Sequence, residues 1–181
     1  MKFKNNAKGY GILSVLFHWL FALCIIALLA SGAYMVTLTY YHPWYHPLPY
    51  YHKIVGVFAF FLWIGRSLWH FCQPQPEITA QHFWEILAAK ITHYTMLLLS
   101  GIVIISGYII ISTDTDFYNW FGVQLPTVQL DMEHQADLAG FWHKYIAYGL
   151  TGFISLHVLA TLKHQFIDKR KLLQKIFGFK Q

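Results

Sequence analysis

Four long apolar blocks dominate the chain, near residues 11–36, 50–71, 86–112 and 138–162, and each is set off from the next by a polar or proline-rich break. A helix needs about 20 residues to cross the hydrocarbon core of a bilayer, and every block is long enough. None carries the polar face that a helix of a soluble bundle presents to water. The pattern predicts an all-α protein, a transmembrane four-helix bundle forming one domain over residues 1–181. The breaks differ in kind. Residues 40–49 hold three prolines in seven positions and are expected to be non-helical, lying as a lid on one surface. Gln73-Pro74-Gln75-Pro76 marks a short turn, and residues 112–137 form the longest and most acidic connection. Tyr34, Met35, Tyr40, Tyr41 and Trp44 supply an interfacial belt at the end of the first block.

Composition agrees with a lipid environment: 56% of the 181 residues are hydrophobic and only 12% charged. Charge then adds orientation. Lys2, Lys4 and Lys8 precede the first span, Lys163, Lys169, Arg170, Lys171, Lys175 and Lys180 follow the last, and residues 37–49 and 113–137 contain no Lys or Arg. The positive-inside rule therefore puts both termini of this multi-pass, lipid-surrounded chain in the cytoplasm. The net charge of +5 follows from this topology. No soluble basic domain exists to hold a duplex, which excludes nucleic-acid binding. The first block imitates a signal peptide, but it is longer than a signal h-region and contains His18-Trp19, so it reads as a retained span. Cys24 and Cys72 are the only cysteines, and no Cys-x-x-Cys-His occurs, so covalent c-type haem attachment is excluded.

Candidate chemistry resides in the histidines. His143 and His157 lie fourteen residues apart on the last span. On a helix that spacing puts them about 40° apart in azimuth and about 21 Å apart along the axis. Ionisable residues at membrane depth are expensive and mark function. An antiparallel bundle matches His18 with His157 toward the inside and His52 with His143 toward the outside. Each cross-bundle pair suits a haem iron held by two neutral imidazoles, a six-coordinate state made for electron transfer. Arg66 lies fourteen residues after His52, on the same face and at the inner depth. A charge there costs about 2.5–3.5 kcal/mol on insertion scales and needs an anion, which a haem propionate provides through two parallel hydrogen bonds. His93 is the rival inner ligand, with no depth-matched partner left over. His164, at the inner surface, is placed to bond a quinone carbonyl or relay a proton. Lys53 and Lys144 each follow an outer ligand directly and are expected to serve outer propionates or draw anions. His42 and His46 flank prolines, which denies them the spacing of a helical metal site.

Leu13-Ser14-Val15-Leu16-Phe17-His18-Trp19, then His52-Lys53-Ile54-Val55-Gly56 with Arg66, then Trp142-His143 and Leu156-His157, together resemble the bacterial cytochrome b561 family, related to the cytochrome b subunits of nickel hydrogenases. The resemblance covers essentially the whole chain. It implies two haem b groups ligated by His18, His52, His143 and His157, and electron exchange with ubiquinone. One member type is a superoxide oxidase, which passes electrons from periplasmic superoxide to ubiquinone. Lys53 and Lys144 suit such an anion funnel, while the acidic loop of residues 114–137 opposes it. Two other readings compete: an electron-transfer subunit that docks to a dehydrogenase or hydrogenase as redox partner, and a haem-free protein that uses its histidines to bind or transport metal. The lack of acidic ligands within the bundle disfavours the last.

Overall fold

A computed structural model describes residues 3–6, 9–76, 83–113, 117–129 and 132–169. Lys2, Lys8, Asp114, Arg170, Lys171, Lys175 and Lys180, used above for orientation and loop charge, lie outside the described residues. Four helices account for the apolar blocks: α1 (Ile12–Met35), α2 (Pro47–Cys72), α3 (Phe83–Ile111) and α4 (Gln135–Leu162). All four are long and apolar enough to cross a membrane. A single π-helical turn, Lys163–Ile167, continues α4, closed by the Asp168 N–H donating to the Lys163 carbonyl at 3.2 Å.

Two expectations need correction. Helix α2 begins at Pro47, so the last three residues of the proline-rich segment are its first turn. The first N–H groups of a helix have no intrahelical acceptor, so Pro47 and Pro49 lose nothing there. The fold is also not purely helical. Residues 113–137 contain an antiparallel hairpin of β1 (Phe117–Trp120) and β2 (Val123–Pro126), with Trp120 opposite Val123. Its two turn residues, Phe121 and Gly122, both have positive φ, at 50° and 86°, as a hairpin turn matched to strand twist requires. Phe-Gly is a weak turn signal beside Asn-Gly, and the Asn119 side chain compensates by accepting the Gly122 N–H at 2.8 Å. The hairpin is fastened to the bundle by Trp120 Nε1 donating to the Ile54 carbonyl at 3.3 Å and by Tyr108 Oη donating to the Pro126 carbonyl.

Contacts at the helix ends define the arrangement. At one end, the base, Asn5 Nδ2 donates to the Pro74 carbonyl, and Lys163 Nζ lies 3.8 Å from Glu85, joining the finish of α4 to the start of α3. At the other, the crown, sit the hairpin and the segment between α1 and α2. Few side chains are fully buried: Phe21, Ile25, Ala59, Ile104 and Leu150 form the central core, while Leu23, Leu98 and Leu159 are more than half exposed. Lipid tails solvate leucine as well as a protein core does, so helix association rests on close packing and interhelical hydrogen bonds. Both are present. Trp63 of α2 lies so tight on Gly101 of α3 that a Cβ there would meet its ring at 2.5 Å, and its Nε1 donates to the Leu97 carbonyl at 3.0 Å. Trp69 Nε1 of α2 donates to Ser14 Oγ of α1 at 2.8 Å. The most extensive helix pairings are α3 with α4 and α1 with α2.

Candidate haem-binding sites

Near the crown, all four helices contribute to one site. His52 of α2 and His143 of α4 face each other with ring centroids 6.3 Å apart and planes at 74°. Ser31 of α1 places its Oγ 2.8 Å from His52 Nδ1 and donates its own proton to the Leu28 carbonyl. With the Ser31 hydroxyl hydrogen directed to Leu28, its lone pairs can accept from His52 Nδ1–H. On α3, the Val103 carbonyl and Ser106 Oγ lie 2.9 and 3.1 Å from His143 Nδ1, and Ser106 also donates to Val103. A carbonyl only accepts, so His143 too carries its proton on Nδ1. Both rings thereby keep the Nε2 lone pair available, the tautomer a metal-ligating histidine requires, with the opposite nitrogen anchored by a second partner.

The separation fits haem. Two metal–nitrogen bonds of about 2 Å each, plus about 1 Å from each nitrogen to its ring centroid, put a trans pair of imidazoles roughly 6 Å apart. A glycine makes the approach of His143 possible. A Cβ on Gly107 of α3 would meet His143 Cε1 at 3.0 Å, whereas one on Gly32 of α1 would make only an ordinary contact with His52 Cε1 at 3.5 Å.

Toward the base a second cluster again draws on every helix. His18 of α1, Arg66 of α2, His93 of α3 and His157 of α4 lie within electrostatic range of one another. The sequence left His93 without a partner. The packing of α3 on α4 brings it to His157 with centroids 5.0 Å apart, closer than a trans pair of iron ligands stands. The Arg66 guanidinium stacks on the Phe21 ring at 5.2 Å. Among the described residues no carboxylate forms an ion pair with it. A half-buried cation amid imidazoles matches an anionic group entering with a ligand, as a propionate does. Tyr10, just before α1, also lies in its range; burial raises the phenol above its ordinary value, and the guanidinium acts in the opposite sense.

The remaining sequence candidates are dispersed. Lys53 lines a crown cavity of about 450 Å³ with Met35, Leu38, Tyr45, His46, Pro49, Tyr50 and Tyr118. Lys144 lies 5.9 Å from the Tyr145 ring on α4 and is not part of that lining. His164 bonds Asp168 at 2.5 Å rather than facing the bundle core. That bond, with Lys163 beside it, holds the Asp168 carboxyl below the usual carboxylate range. His42 Nδ1 accepts the Trp44 N–H, and His46 precedes α2 against Tyr40 and Tyr45, so the pair forms no helical metal site. Ser31, Ser106 and Gly107 carry no signal in the sequence of their roles beside His52 and His143. Their hydrogen-bonding and spacing roles depend on which histidine stands opposite, and that is decided by helix packing.

The family model described as prokaryotic cytochrome b561 matches residues 9–179. The cytochrome b561 homolog 2 of Escherichia coli (strain K12) is 36% identical over 182 residues, spanning 98% of this chain and 96% of that protein. With four membrane-length helices and a core of histidines suited to iron, the chain belongs to the prokaryotic cytochrome b561 family, membrane proteins that bind haem b and transfer electrons.

Proposed function

We propose that this protein is a dihaem cytochrome that moves electrons from a periplasmic donor, superoxide, to ubiquinone. The observation that carries haem ligation is the crown pair: His52 and His143 at 6.3 Å, each with Nδ1 engaged by a neighbouring helix. The base cluster supports a second haem held by His18 and His157, with His93 as the alternative ligand and Arg66 neutralising a propionate. When bound, the haems supply one-electron redox chemistry. Haem held by two of these histidines would exchange electrons with a donor without binding it. Lys53 and Lys144 raise the local positive potential and thereby the encounter rate of an anion. Two superoxide ions each lose one electron and leave as dioxygen, while one ubiquinone takes up two electrons and two protons. The basic residues around α1 and after α4 support a cytoplasmic base and a periplasmic crown.

The test is stopped-flow mixing of haem-loaded protein with superoxide. Haem reduction that slows in the Lys53→Glu, Lys144→Glu variant and weakens with salt supports the proposal. Reduction at the same rate in both proteins overturns the superoxide assignment, and one haem per chain overturns the dihaem state.

A further inference from the structure

The base also carries a cluster of candidate metal ligands at the ends of α3 and α4, separate from the four histidines proposed to hold haem. Glu85, in the first turn of α3, meets His164 and Asp168 at the finish of α4, and one donor atom from each lies within 4.8 Å of the other two. The side chains are only 22%, 20% and 21% exposed. Lys163 completes the group, its Nζ 3.3 Å from Asp168 and 3.8 Å from Glu85. We propose that Glu85, His164 and Asp168 form a binding site for a divalent transition-metal cation of the Zn²⁺ type, in which the Lys163 ammonium is the resident stand-in cation.

Three observations support this. Imidazole nitrogen and carboxylate oxygen are both zinc ligands, and three protein ligands leave a fourth position for water. Ligands around a tetrahedral Zn²⁺ stand about 3.4 Å apart, so side-chain movement of roughly 1 Å closes the site. The π-helical turn Lys163–Ile167 holds His164 and leads directly into Asp168, and such turns are frequent at functional sites. Lys163 shows that the site already selects positive charge. Its side chain is half exposed, so it can swing into solvent when a dication arrives. Bound metal would pin the start of α3 to the end of α4, the two helices that carry His93 and His157.

The experiment uses the full-length, haem-loaded protein in detergent, stripped with chelator and titrated with Zn²⁺ by calorimetry, with retained metal counted after desalting. Glu85→Gln and His164→Gln should each weaken one tight site at least tenfold, while their haem spectra report an intact fold. Lys163→Gln should strengthen the same site by about tenfold, the size of one unit charge removed at about 3.3 Å in a water-like dielectric. A purely structural ion-pair cluster predicts no gain from Lys163→Gln. Unchanged affinity in that variant, or equal zinc content in wild type and Glu85→Gln, overturns the proposal.

Discussion

Gly107→Ala tests whether the crown histidines are held as the structure describes. The new Cβ would stand 3.0 Å from Cε1 and 3.3 Å from Nδ1 of His143. Comfortable carbon contacts begin near 3.5 Å, so the imidazole must recede from α3 by about 0.5 Å. Both acceptors of its Nδ1–H also belong to α3, at 2.9 Å for Val103 and 3.1 Å for Ser106. Receding stretches those bonds to roughly 3.4 and 3.6 Å, at or beyond the working limit of a hydrogen bond. Losing one or both costs about 1–2 kcal/mol of ligand orientation, or roughly 5- to 30-fold in retention of the crown haem. Because alanine is the better helix former, global stability should not fall for helical reasons. The assay is haem transfer to an apo-globin scavenger, followed optically, with Gly32→Ala as the control. There the added Cβ meets His52 at 3.5 Å, an ordinary contact, and release should match wild type. Equal release rates for wild type and Gly107→Ala would refute the reasoning, as would equal acceleration in both variants.

Other outcomes follow from the same geometry. His52→Ala and His18→Ala should each lower the pyridine haemochrome count from two haems per chain to one; a count unchanged in either removes that residue from the ligand set. Gly101→Ala drives a methyl to 2.5 Å from the Trp63 ring, and overpacking of this kind costs about 1–3 kcal/mol, so the thermal midpoint in detergent should drop while Gly56→Ala, with open space around it, leaves it in place. Arg66→Met removes the guanidinium from the base cluster and should loosen or lose the base haem while sparing the crown haem, separable by the scavenger assay; loss of both haems together would point to general unfolding. Ser31→Ala should leave the His52 Nδ1–H without its acceptor and reduce crown haem affinity by about 10- to 100-fold, as removal of partners behind a metal ligand does.

Helix number and helix length were legible in the sequence because a bilayer imposes one strong rule: the backbone must satisfy its own hydrogen bonds, so an apolar run of sufficient length is a helix. That rule made Arg66 conspicuous and gave His18, His52, His143 and His157 their places along their helices. It says nothing about the azimuth of one helix against another. The approach of His93 to His157, the tautomers set by Ser31, Ser106 and the Val103 carbonyl, and the space left by Gly107 all follow from how α3 lies on α4 and α1 on α2. Extramembrane structure was read least well. The hairpin at Phe117–Pro126 has a weak turn signal and is fastened by Trp120 and Tyr108 to partners 66 and 18 residues away, and Pro47 could join a helix only because it stands at its first position. Local pattern determined which segments are long and apolar enough to cross the membrane and where each histidine falls along its helix, and tertiary packing decided which side chains meet, because that depends on rotations about helix axes that lipid leaves nearly free.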